Sequence, residues 1–533
     1  MASLSIVNGF VVDGSGRPGF PADVRIEGDR VAEIVPRPAS RRSAPGSRFP
    51  DSGVVDAAGA WVTPGFVDAH AHSDAYLVLE PDAPSKLSQG VTTEINGQCG
   101  GSVAPRHGEA RLSGDWAALL GERLTWRSLA EYRAVLEQAR PSVNTVQFVG
   151  HNTLRSSVIG YAARRATPET QKQMEELLAR ELDAGGWGLT TGLIYQPGKY
   201  SDSAEVTGLA RVAAAHGGFY ATHMRSEGEA ILEAIDEVLA LVRATGIRAE
   251  ISHLKTSGKR NWGKIDAVLE KIDAAVRAGE LLGSDRYPYC AAGTDLDVVF
   301  PDWAGEGAAP AEMARLADPA TRAKIAAEID ASGRDWELVR VGGTWSDATR
   351  RYSGRSIAEI LRAEKGAGAG ELVCRILEAD GCKTGGFFFG MSEDNLKKIY
   401  AMDWIVPGSD ASLRAPWGPL GADHPHPRAY GTMPEFFRRL TRELGVAPEK
   451  AVARMTSVPA RRFGIRGRGV LERGAFADVA VWRPEAFAST ATYDKPHAFA
   501  AGVDCVVVNG AVAYRGGVAQ PFTHAGTGRF LER

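Results

Sequence analysis

The chain has 533 residues, of which 44% are hydrophobic and 24% charged, and its formal net charge is −3. Its length suits a large barrel with an accessory module, and the small net charge argues against nucleic acid or a charged membrane surface as a partner. The first residues, MASLSIVNGF, lack the basic and apolar regions of a signal peptide, and no apolar run is long enough to span a membrane. Five irregularly spaced cysteines are typical of a reducing compartment, so we expect a cytoplasmic protein.

Residues 1–62 and residues 466–533 share one sequence pattern. In both segments, short runs of alternating apolar and polar residues lie between turn residues, as in LSIVNG, FVVDGSG, GVLERGAFADVAVW and VDCVVVNGAVAYRGG. This pattern predicts one small β-sandwich to which both ends of the chain contribute. Within the first segment, the polar stretch 36–52 is predicted to form a surface loop.

Between these two segments, amphipathic helices alternate with short apolar strands. One helix is predicted to begin at Thr167 and Pro168, an N-cap followed by proline. Its apolar face consists of Met174, Leu177, Leu178 and Leu182. A second helix is predicted to begin with a capping box formed by Asp202 and Glu205.

Eight strands can be recognised in this middle part. They are predicted at Phe66–His70, Val91–Cys99, Thr145–His151, Gly188–Thr191, Phe219–His223, Ala249–His253, Leu282–Tyr287 and Trp404–Asp410. Eight strands that alternate with helices predict an α/β fold, a (β/α)8 TIM-type barrel, over residues 63–465. The long interval between the last two strands has helical patterns of its own and predicts an inserted subdomain at about residues 300–385.

Metal-binding side chains follow the predicted strands. In a barrel of this type the active site lies at the carboxyl ends of the strands. The candidate residues at those ends are His70, His72, Cys99, His151, Tyr195, His223, His253, Tyr287 and Asp410. Because residues i and i+2 of a strand point to the same side, both imidazoles of the His70–Ala71–His72 segment can reach one metal ion.

Each candidate also has a structural explanation that involves no metal. A histidine that closes a strand, as His223 and His253 do, is often a hydrogen-bonded structural residue. Cys99 has the alternative of a small buried hydrophobe, and Asp410 that of capping a turn. Their grouping at one end of the predicted barrel favours a metal site over these separate explanations.

A set of longer motifs runs in order from about residue 60 to the C-terminus. The motifs are PGFVDAHAHSD, QGVTTEINGQCGGSVAP, VGHNTLR, GLTTGLIYQPG, ATHMRSEGE, EISHLKTSG, YPYCAAGT, FGMSEDNLKKI, GSDAS, HPHPRAYGT and ERGAFADVAVW. In these motifs the chain resembles the metal-dependent amidohydrolase superfamily, and within it the D-aminoacylase (N-acyl-D-amino-acid deacylase) group. The resemblance implies hydrolysis of the amide bond of an N-acyl-D-amino acid to a carboxylate and a D-amino acid.

The fourth strand bears on the metal ligands. Hydantoinases, dihydroorotases and ureases bridge two metal ions with a carboxylated lysine there, whereas GWGLTTG contains no lysine. In D-aminoacylases a cysteine at the end of the second strand is the ligand instead, and Cys99 occupies that motif. The resemblance therefore implies a tight zinc site of Cys99, His223 and His253 with an open fourth position. The residues implied at a second, weaker divalent metal site are Cys99, His70, His72 and Asp410.

The resemblance also implies roles in the reaction. Zinc lowers the pKa of bound water toward ~7, and we expect the metal-activated hydroxide to attack the amide carbonyl. Asp410 is expected to accept the water proton and pass it to the departing amine, and His70 or His72 to help polarise the carbonyl oxygen. The residues implied to bind the substrate are Lys255, Tyr195, Tyr287 and Arg428, although Lys255 and Arg428 have the alternative of solvated surface charges. His151 is a candidate supporting or oxyanion donor, with a structural histidine as an equal alternative.

Three further expectations concern residues around these motifs. Gln98 stands before Cys99 where asparagine is common in the family. Asp295 and Asp297 replace neutral residues, and if either faces the pocket, a basic or polar substrate side chain should be preferred over an acidic one. Two other charged residues, Arg225 and Glu227, are expected to pair and hold a loop, without a catalytic role.

Two other kinds of function are compatible with these residues. A D-dipeptidase, a cyclic amidase or a deaminase would use the same fold and metal, although the missing lysine argues against lysine-bridged cyclic amidases. A non-catalytic scaffold would keep the barrel, but such proteins normally lose metal ligands, and this chain retains them. The expected partner is a small-molecule N-acyl amino acid, with no nucleic acid and no membrane, and the sequence predicts no oligomeric state.

Overall fold

The structure is a computed structural model that describes residues 3–38, 53–112, 116–364, 366, 368–518 and 521–533. The surface loop predicted at 36–52 falls largely on residues 39–52, which lie outside the described residues. Within the described residues, no helix is both long enough and apolar enough to cross a membrane.

The strands, in chain order, are β1 (Ser3–Val11), β2 (Phe20–Glu27), β3 (Arg30–Pro36), β4 (Gly53–Asp56), β5 (Trp61–Pro64), β6 (Phe66–Asp68), β7 (Val91–Asn96), β8 (Asn144–Gln147), β9 (Val149–Gly150), β10 (Gly188–Gly192), β11 (Phe219–His223), β12 (Arg248–Ile251), β13 (Leu282–Arg286), β14 (Ala291–Asp295), β15 (Val339–Val341), β16 (Gly385–Phe389), β17 (Ile405–Pro407), β18 (Val479–Trp482), β19 (Val503–Val508) and β20 (Ala511–Arg515).

The α-helices are α1 (Tyr76–Leu79), α2 (Pro84–Leu87), α3 (Trp116–Leu120), α4 (Leu129–Ala139), α5 (His151–Val158), α6 (Pro168–Asp183), α7 (Ser203–Ala215), α8 (Ile231–Thr245), α9 (Ile265–Arg277), α10 (Ala308–Ala317), α11 (Pro319–Ala331), α12 (Ile357–Ala363), α13 (Ala369–Ala379), α14 (Glu393–Tyr400), α15 (Arg428–Arg438), α16 (Pro448–Met455) and α17 (Ser457–Arg462).

The predicted barrel is confirmed. Strands β17-β13-β12-β11-β10-β9 form one parallel sheet and β6-β7-β8 another. The two sheets meet where β8 continues into β9 and where β6 approaches β17, because Ala69 N donates to the carbonyl oxygen of Pro407 at 3.1 Å. The structural strands end earlier than predicted at several positions, so that His70, Cys99 and His253 lie on turns just beyond them.

Strands from both ends of the chain form one sheet, which confirms that both ends contribute to one unit, while the two layers of the predicted β-sandwich stay a prediction. Its order is β20-β19-β18-β5-β1-β2-β3, with β4 paired to β1. Strand β5 from the N-terminal segment pairs antiparallel with β18 from the C-terminal segment. The buried Trp482 joins this sheet to the barrel, because its indole packs 5.7 Å from the Phe66 ring of β6 and 5.0 Å from the Phe437 ring of α15.

An inserted unit lies between β13 and β17. Its sheet has the antiparallel order β14-β16-β15, and its helices α10–α13 share an apolar core that includes Ile325, Ile329, Leu372 and Ile376. The sheet begins at Ala291 and ends at Phe389, on either side of the interval predicted for the insertion. The domain boundaries 1–62, 63–465 and 466–533 stay a prediction.

The N-terminal ends of α6 and α7 show whether the predicted helix caps form. Thr167 caps α6 as predicted, since its side chain accepts a hydrogen bond from Thr170 N. At α7 the Asp202 side chain accepts from Glu205 N at 2.9 Å, but the Glu205 side chain does not complete the expected capping box. Its side chain turns instead to α5, where Oε1 lies 2.8 Å from Nε2 of His151 and accepts a hydrogen bond from Nε of Arg155 at 3.0 Å.

Candidate metal centre

Six of the predicted side chains meet at the carboxyl end of the barrel. Their ligand atoms form two groups, and within each group all atoms lie within 4.8 Å of one another. The first group is Cys99, His223 and His253, and the second is His70, His72, Cys99 and Asp410. Cys99 joins the groups, because its Sγ lies 3.3 Å from Nε2 of His70 and 3.3 Å from Nε2 of His253.

The backbone turns sharply at three of these residues. Cys99, His253 and Asp410 have φ angles of 53°, 37° and 49°, a left-handed conformation that is uncommon for residues other than glycine and costs energy. Gly97 shares this conformation, and a Cβ there would lie 2.4 Å from the carbonyl oxygen of Phe148. These turns place the three side chains in the mouth of the barrel.

The surroundings of Cys99 favour the deprotonated form of its thiol, the thiolate. Burial alone would raise its pKa, but His70 and His253 beside it hold the pKa well below its usual value. The thiolate is the form of cysteine that binds metal.

Asp285 on β13 supports two of the histidines from behind. Its Oδ2 lies 3.2 Å from Nδ1 of His70, and its Oδ1 accepts a hydrogen bond from the His253 backbone N at 3.0 Å. A carboxylate on the far nitrogen of a histidine fixes the ring and raises its basicity as a ligand. We did not predict this residue, because Asp285 lies between the polar Ser284 and Arg286 and the sequence does not distinguish it from them.

The expected pair of Arg225 and Glu227 is wrong. Arg225 bonds Glu237 of α8 instead, with Nε 3.1 Å from Oε2 and Nη2 3.0 Å from Oε1. The loop after β11 therefore turns these two neighbours in opposite directions, which a sequence pattern does not reveal.

Glu227 instead faces the metal centre. Its Oε1 lies 2.9 Å from Nδ1 of His253 and contacts Nζ of Lys255, and its Oε2 lies 3.5 Å from Nε2 of His223. Burial would raise the pKa of Glu227, but the charges of His223, Lys255 and His253 hold it far below its usual value. A permanent carboxylate thus stands behind the first ligand group, and no sequence signal indicates it, because Glu227 lies on a loop.

Asp410 lies between the second ligand group and an arginine. Its Oδ1 is 3.1 Å from Nε2 of His72, and its Oδ2 is 2.8 Å from Nη1 of Arg428. Burial would raise the pKa of this carboxyl, but Arg428, His253 and His72 hold it well below its usual value. Asp410 is therefore ionised at neutral pH.

Three of the predicted substrate-binding residues line this mouth. Arg428 donates from Nη2 to the carbonyl oxygen of Gly293 at 3.1 Å, and its guanidinium carbon lies 4.7 Å from the Tyr287 ring centre. The Tyr195 ring lies 4.9 Å from the His223 ring. The Tyr287 hydroxyl and Nε of Arg428 are buried without a hydrogen-bond partner among the described residues, which leaves donors available for an anion.

Lys255 and His151 lie in other surroundings. Lys255 Nζ contacts Glu227 and donates to the carbonyl oxygen of His253 at 3.1 Å, 5.9 Å from the Tyr287 ring centre. His151 belongs to neither ligand group, and its Nε2 lies 2.8 Å from Oε1 of Glu205. The roles predicted for these two residues stay predictions.

The two aspartates that follow the YPY motif differ from each other. Asp297 forms a hydrogen bond with the buried Glu312 inside the inserted unit, so its charge does not serve the pocket. Asp295 is exposed at the end of β14. The predicted preference for a basic or polar side chain therefore depends on Asp295.

The first ligand group fits zinc. Zinc prefers thiolate and imidazole at about 2.3 and 2.1 Å in a tetrahedral arrangement, so two such ligand atoms lie about 3.5 Å apart. The 3.3 Å separation of Cys99 Sγ and His253 Nε2 matches this value. Both ring nitrogens of the buried His223 lack a hydrogen-bond partner among the described residues, and a metal bond would satisfy one of them.

Comparisons with known proteins agree with this geometry. A family model described as "Amidohydrolase family" matches residues 53–514. An N-acyl-D-glutamate deacylase of Alcaligenes xylosoxydans xylosoxydans is 37% identical over 518 residues, which cover 96% of this chain and 93% of that protein. A D-aminoacylase of the same organism is 35% identical over 534 residues, which cover 99% of this chain and 97% of that protein.

A solved structure shares the whole architecture. It is the N-acyl-D-glutamate deacylase from Bordetella bronchiseptica, complexed with zinc and a phosphonate inhibitor that mimics the tetrahedral intermediate of the reaction. The two chains are 33% identical, superpose with a TM-score of 0.82, and each is covered to 99%. By its family match and its near-full-length relatives, this chain belongs to the amidohydrolase family.

Proposed function

We propose that this protein is a metal-dependent hydrolase that deacylates N-acyl-D-amino acids to a carboxylate and a D-amino acid. The observation that carries the proposal is the meeting of a thiolate–imidazole cluster, an ionised carboxylate and unpartnered anion-binding donors at one barrel mouth. The relatives that act on N-acyl-D-glutamate and on D-amino-acid derivatives by name support the same reaction class.

Cys99, His223 and His253 would hold zinc tightly. A zinc ion in such a site supplies Lewis-acid polarisation of a carbonyl and activation of water at neutral pH. The sharing of Cys99 with His70, His72 and Asp410 supports a second, weaker divalent metal site. Asp285 and Glu227 would orient His253 and His70 from the opposite side.

Asp410 would move the proton. As an ionised carboxylate held by His72 and Arg428, it can accept a proton from the attacking water and donate it to the leaving amine nitrogen. An amine leaves only after its nitrogen is protonated, and the proton that Asp410 takes from the water can serve this purpose. One carboxyl group is therefore sufficient for both proton transfers. The burial of this mouth strengthens each of these interactions by excluding water.

Arg428, Tyr287, Tyr195 and Lys255 would bind the substrate. Nε of Arg428 and the Tyr287 hydroxyl, which have no hydrogen-bond partner among the described residues, suit the α-carboxylate of an N-acyl amino acid. Lys255 would reach that carboxylate by exchanging its contact with Glu227 for one with the substrate.

The five free cysteines support a cytoplasmic location, since none is paired in a disulfide.

The direct test is an assay of the zinc-loaded protein with paired N-acetyl-D and N-acetyl-L amino acids. We expect hydrolysis of the D series, and we expect Cys99→Ala to abolish it. Cys290→Ala is the matched control, because Cys290 is a half-buried thiol outside both ligand groups and should keep the activity. Hydrolysis of the L series alone would contradict the proposal.

A further inference from the structure

His426 lies buried beside Arg428 and contacts three separate parts of the chain. Its Nδ1 accepts a hydrogen bond from the Arg428 backbone N at 3.0 Å. Its Nε2 lies 3.0 Å from the carbonyl oxygen of Ala291 in β14 and 3.1 Å from the hydroxyl of Tyr493. Tyr493 belongs to residues 483–502, which connect β18 to β19 and reach from the terminal sheet to the barrel mouth.

The hydrogen bonds assign the proton on this ring. Burial, together with the positive charge of Arg428, holds the pKa of His426 well below its usual value, so the ring is neutral and carries one N–H. Since Nδ1 accepts from Arg428, the proton is on Nε2. The Nε2–H therefore donates, and the carbonyl oxygen of Ala291 and the hydroxyl oxygen of Tyr493 are its acceptors.

Arg428 is fixed to the same strand by a second bond. Its Nη2 donates to the carbonyl oxygen of Gly293, two residues after Ala291. Strand β14 is at the edge of the inserted sheet, so alternate carbonyls on its free side remain open to partners outside the sheet. The backbone of Arg428, through His426, and its guanidinium are thus both bonded to that free edge.

The segment that carries Tyr493 is itself anchored next to the site. The Tyr493 ring lies 4.8 Å from the Phe389 ring of β16, and its carbonyl oxygen lies 2.7 Å from Nε2 of His424. Contacts with the inserted unit and with the loop that carries His424 therefore fix the Tyr493 residue whose hydroxyl bonds His426.

We propose that His426 and Tyr493 are positioning residues for Arg428, through which the inserted unit and the C-terminal segment fix the guanidinium that receives the substrate carboxylate. The proposal rests on the function proposed above. It predicts that loss of either group weakens binding of the carboxylate more than it slows the bond-breaking step, which Arg428 affects only through its pairing with Asp410.

The test compares two ligands in the zinc-loaded protein. One is the N-acetyl-D-amino acid that the wild type hydrolyses fastest, and the other is the N-acetyl amine of the same side chain without the carboxylate, used as a competitive inhibitor. In Tyr493→Phe and His426→Asn we expect KM for the acid to rise about fivefold, as for the loss of one neutral hydrogen bond, and kcat to fall by a smaller factor, since Arg428 also pairs with Asp410. The inhibition constant of the amine should stay within about twofold, because it does not contact Arg428.

His497→Asn is the matched control. His497 ties the same segment to the same loop, with Nδ1 2.9 Å from the Tyr430 hydroxyl and Nε2 2.8 Å from the carbonyl oxygen of Asp423. If the two residues served only the stability of the fold, KM for the acid and the inhibition constant of the amine would rise in parallel in Tyr493→Phe and His426→Asn. Alternatively, His497→Asn would raise KM for the acid as much as those two variants do. Either result overturns the proposal, as does an unchanged KM. If His426→Asn does not fold, KM for the acid and the inhibition constant of the amine are compared in Tyr493→Phe alone. A wild type that hydrolyses no N-acetyl-D-amino acid would instead overturn the proposed function, and this inference with it.

Discussion

At the scale of single residues, the side chains of the proposed metal centre contact carboxylates that do not themselves belong to the ligand groups. Asp285 holds the ring of His70 and the backbone of His253, and Glu227 holds Nδ1 of His253. If Nε2 of His253 binds the metal, Nδ1 carries the proton and donates it to Glu227. Lys255 Nζ also lies 2.7 Å from this Nδ1, but an ammonium group only donates, so with the proton on Nδ1 the acceptors of Lys255 are Glu227 and the carbonyl oxygen of His253.

Glu227→Gln should weaken zinc binding about 10- to 100-fold, since loss of such a partner costs that much in other metal sites. The measurement is competition for zinc between the protein and a chromophoric chelator. Glu237→Gln is the matched control, because Glu237 pairs with Arg225 on the same loop without touching a ligand. Equal zinc affinity of wild type and Glu227→Gln would show that this carboxylate does not support the metal.

Asp410→Asn should lower kcat by about 10²- to 10⁴-fold, the usual contribution of a general acid–base group. The zinc content should stay the same, because Asp410 is not in the group of Cys99, His223 and His253. Steady-state kinetics together with metal analysis check both statements. A variant that kept its kcat would remove Asp410 from the proton transfer.

At the scale of elements, the spacing of apolar residues predicted strands and helices, because it reflects which face of each element is buried. The eight barrel strands and the capped start of α6 follow from apolar spacing and cap residues, and the side chains after the strand ends converge because the barrel brings those ends together. The pairing of Arg225 and Glu227 was not predictable, because the direction of a loop side chain depends on which distant groups surround it. Glu205 illustrates the same limit, since His151 on another helix draws it away from its cap.

The inserted unit should lose stability as the pH rises. Partial burial and the neighbouring Glu312 raise the pKa of Asp297, and burial raises the pKa of Glu312. Carboxyls with a higher pKa in the folded than in the unfolded state bind more protons when folded. Their contribution is therefore fully present below the unfolded value of about 4 and is lost as the pH rises toward their raised pKa values.

Asp297→Asn, which is uncharged at every pH, tests this statement. Its Tm relative to wild type should increase from pH 5 to pH 9 in calorimetry. Asp302→Asn removes an aspartate of the same unit whose side chain is 98% exposed, and it is the control for loss of a carboxyl outside the buried pair. A constant difference for Asp297→Asn would mean that the carboxyl pair is not linked to folding.

At the scale of the whole molecule, one tryptophan joins the two largest units. The Trp482 indole is fully buried, donates from Nε1 to Oγ1 of Thr63 at 3.1 Å, and packs on Phe66 and Phe437 of the barrel. Trp482→Ala should reduce the free energy of unfolding by about 3–5 kcal/mol, measured by urea denaturation. Because the terminal sheet and the barrel share this core, we expect a single transition to shift. Two separate transitions, of which only the first moves, would show that the units unfold independently.

The central claim is that one zinc ion held by Cys99, His223 and His253 makes this protein a deacylase. Its most direct test is to remove metal with a chelator and titrate zinc back while hydrolysis of an N-acetyl-D-amino acid is followed. We expect no activity without metal, recovery complete at about one equivalent of zinc in the wild type, and no recovery in Cys99→Ser. Full activity of the metal-free protein, or equal recovery in Cys99→Ser, would contradict the account.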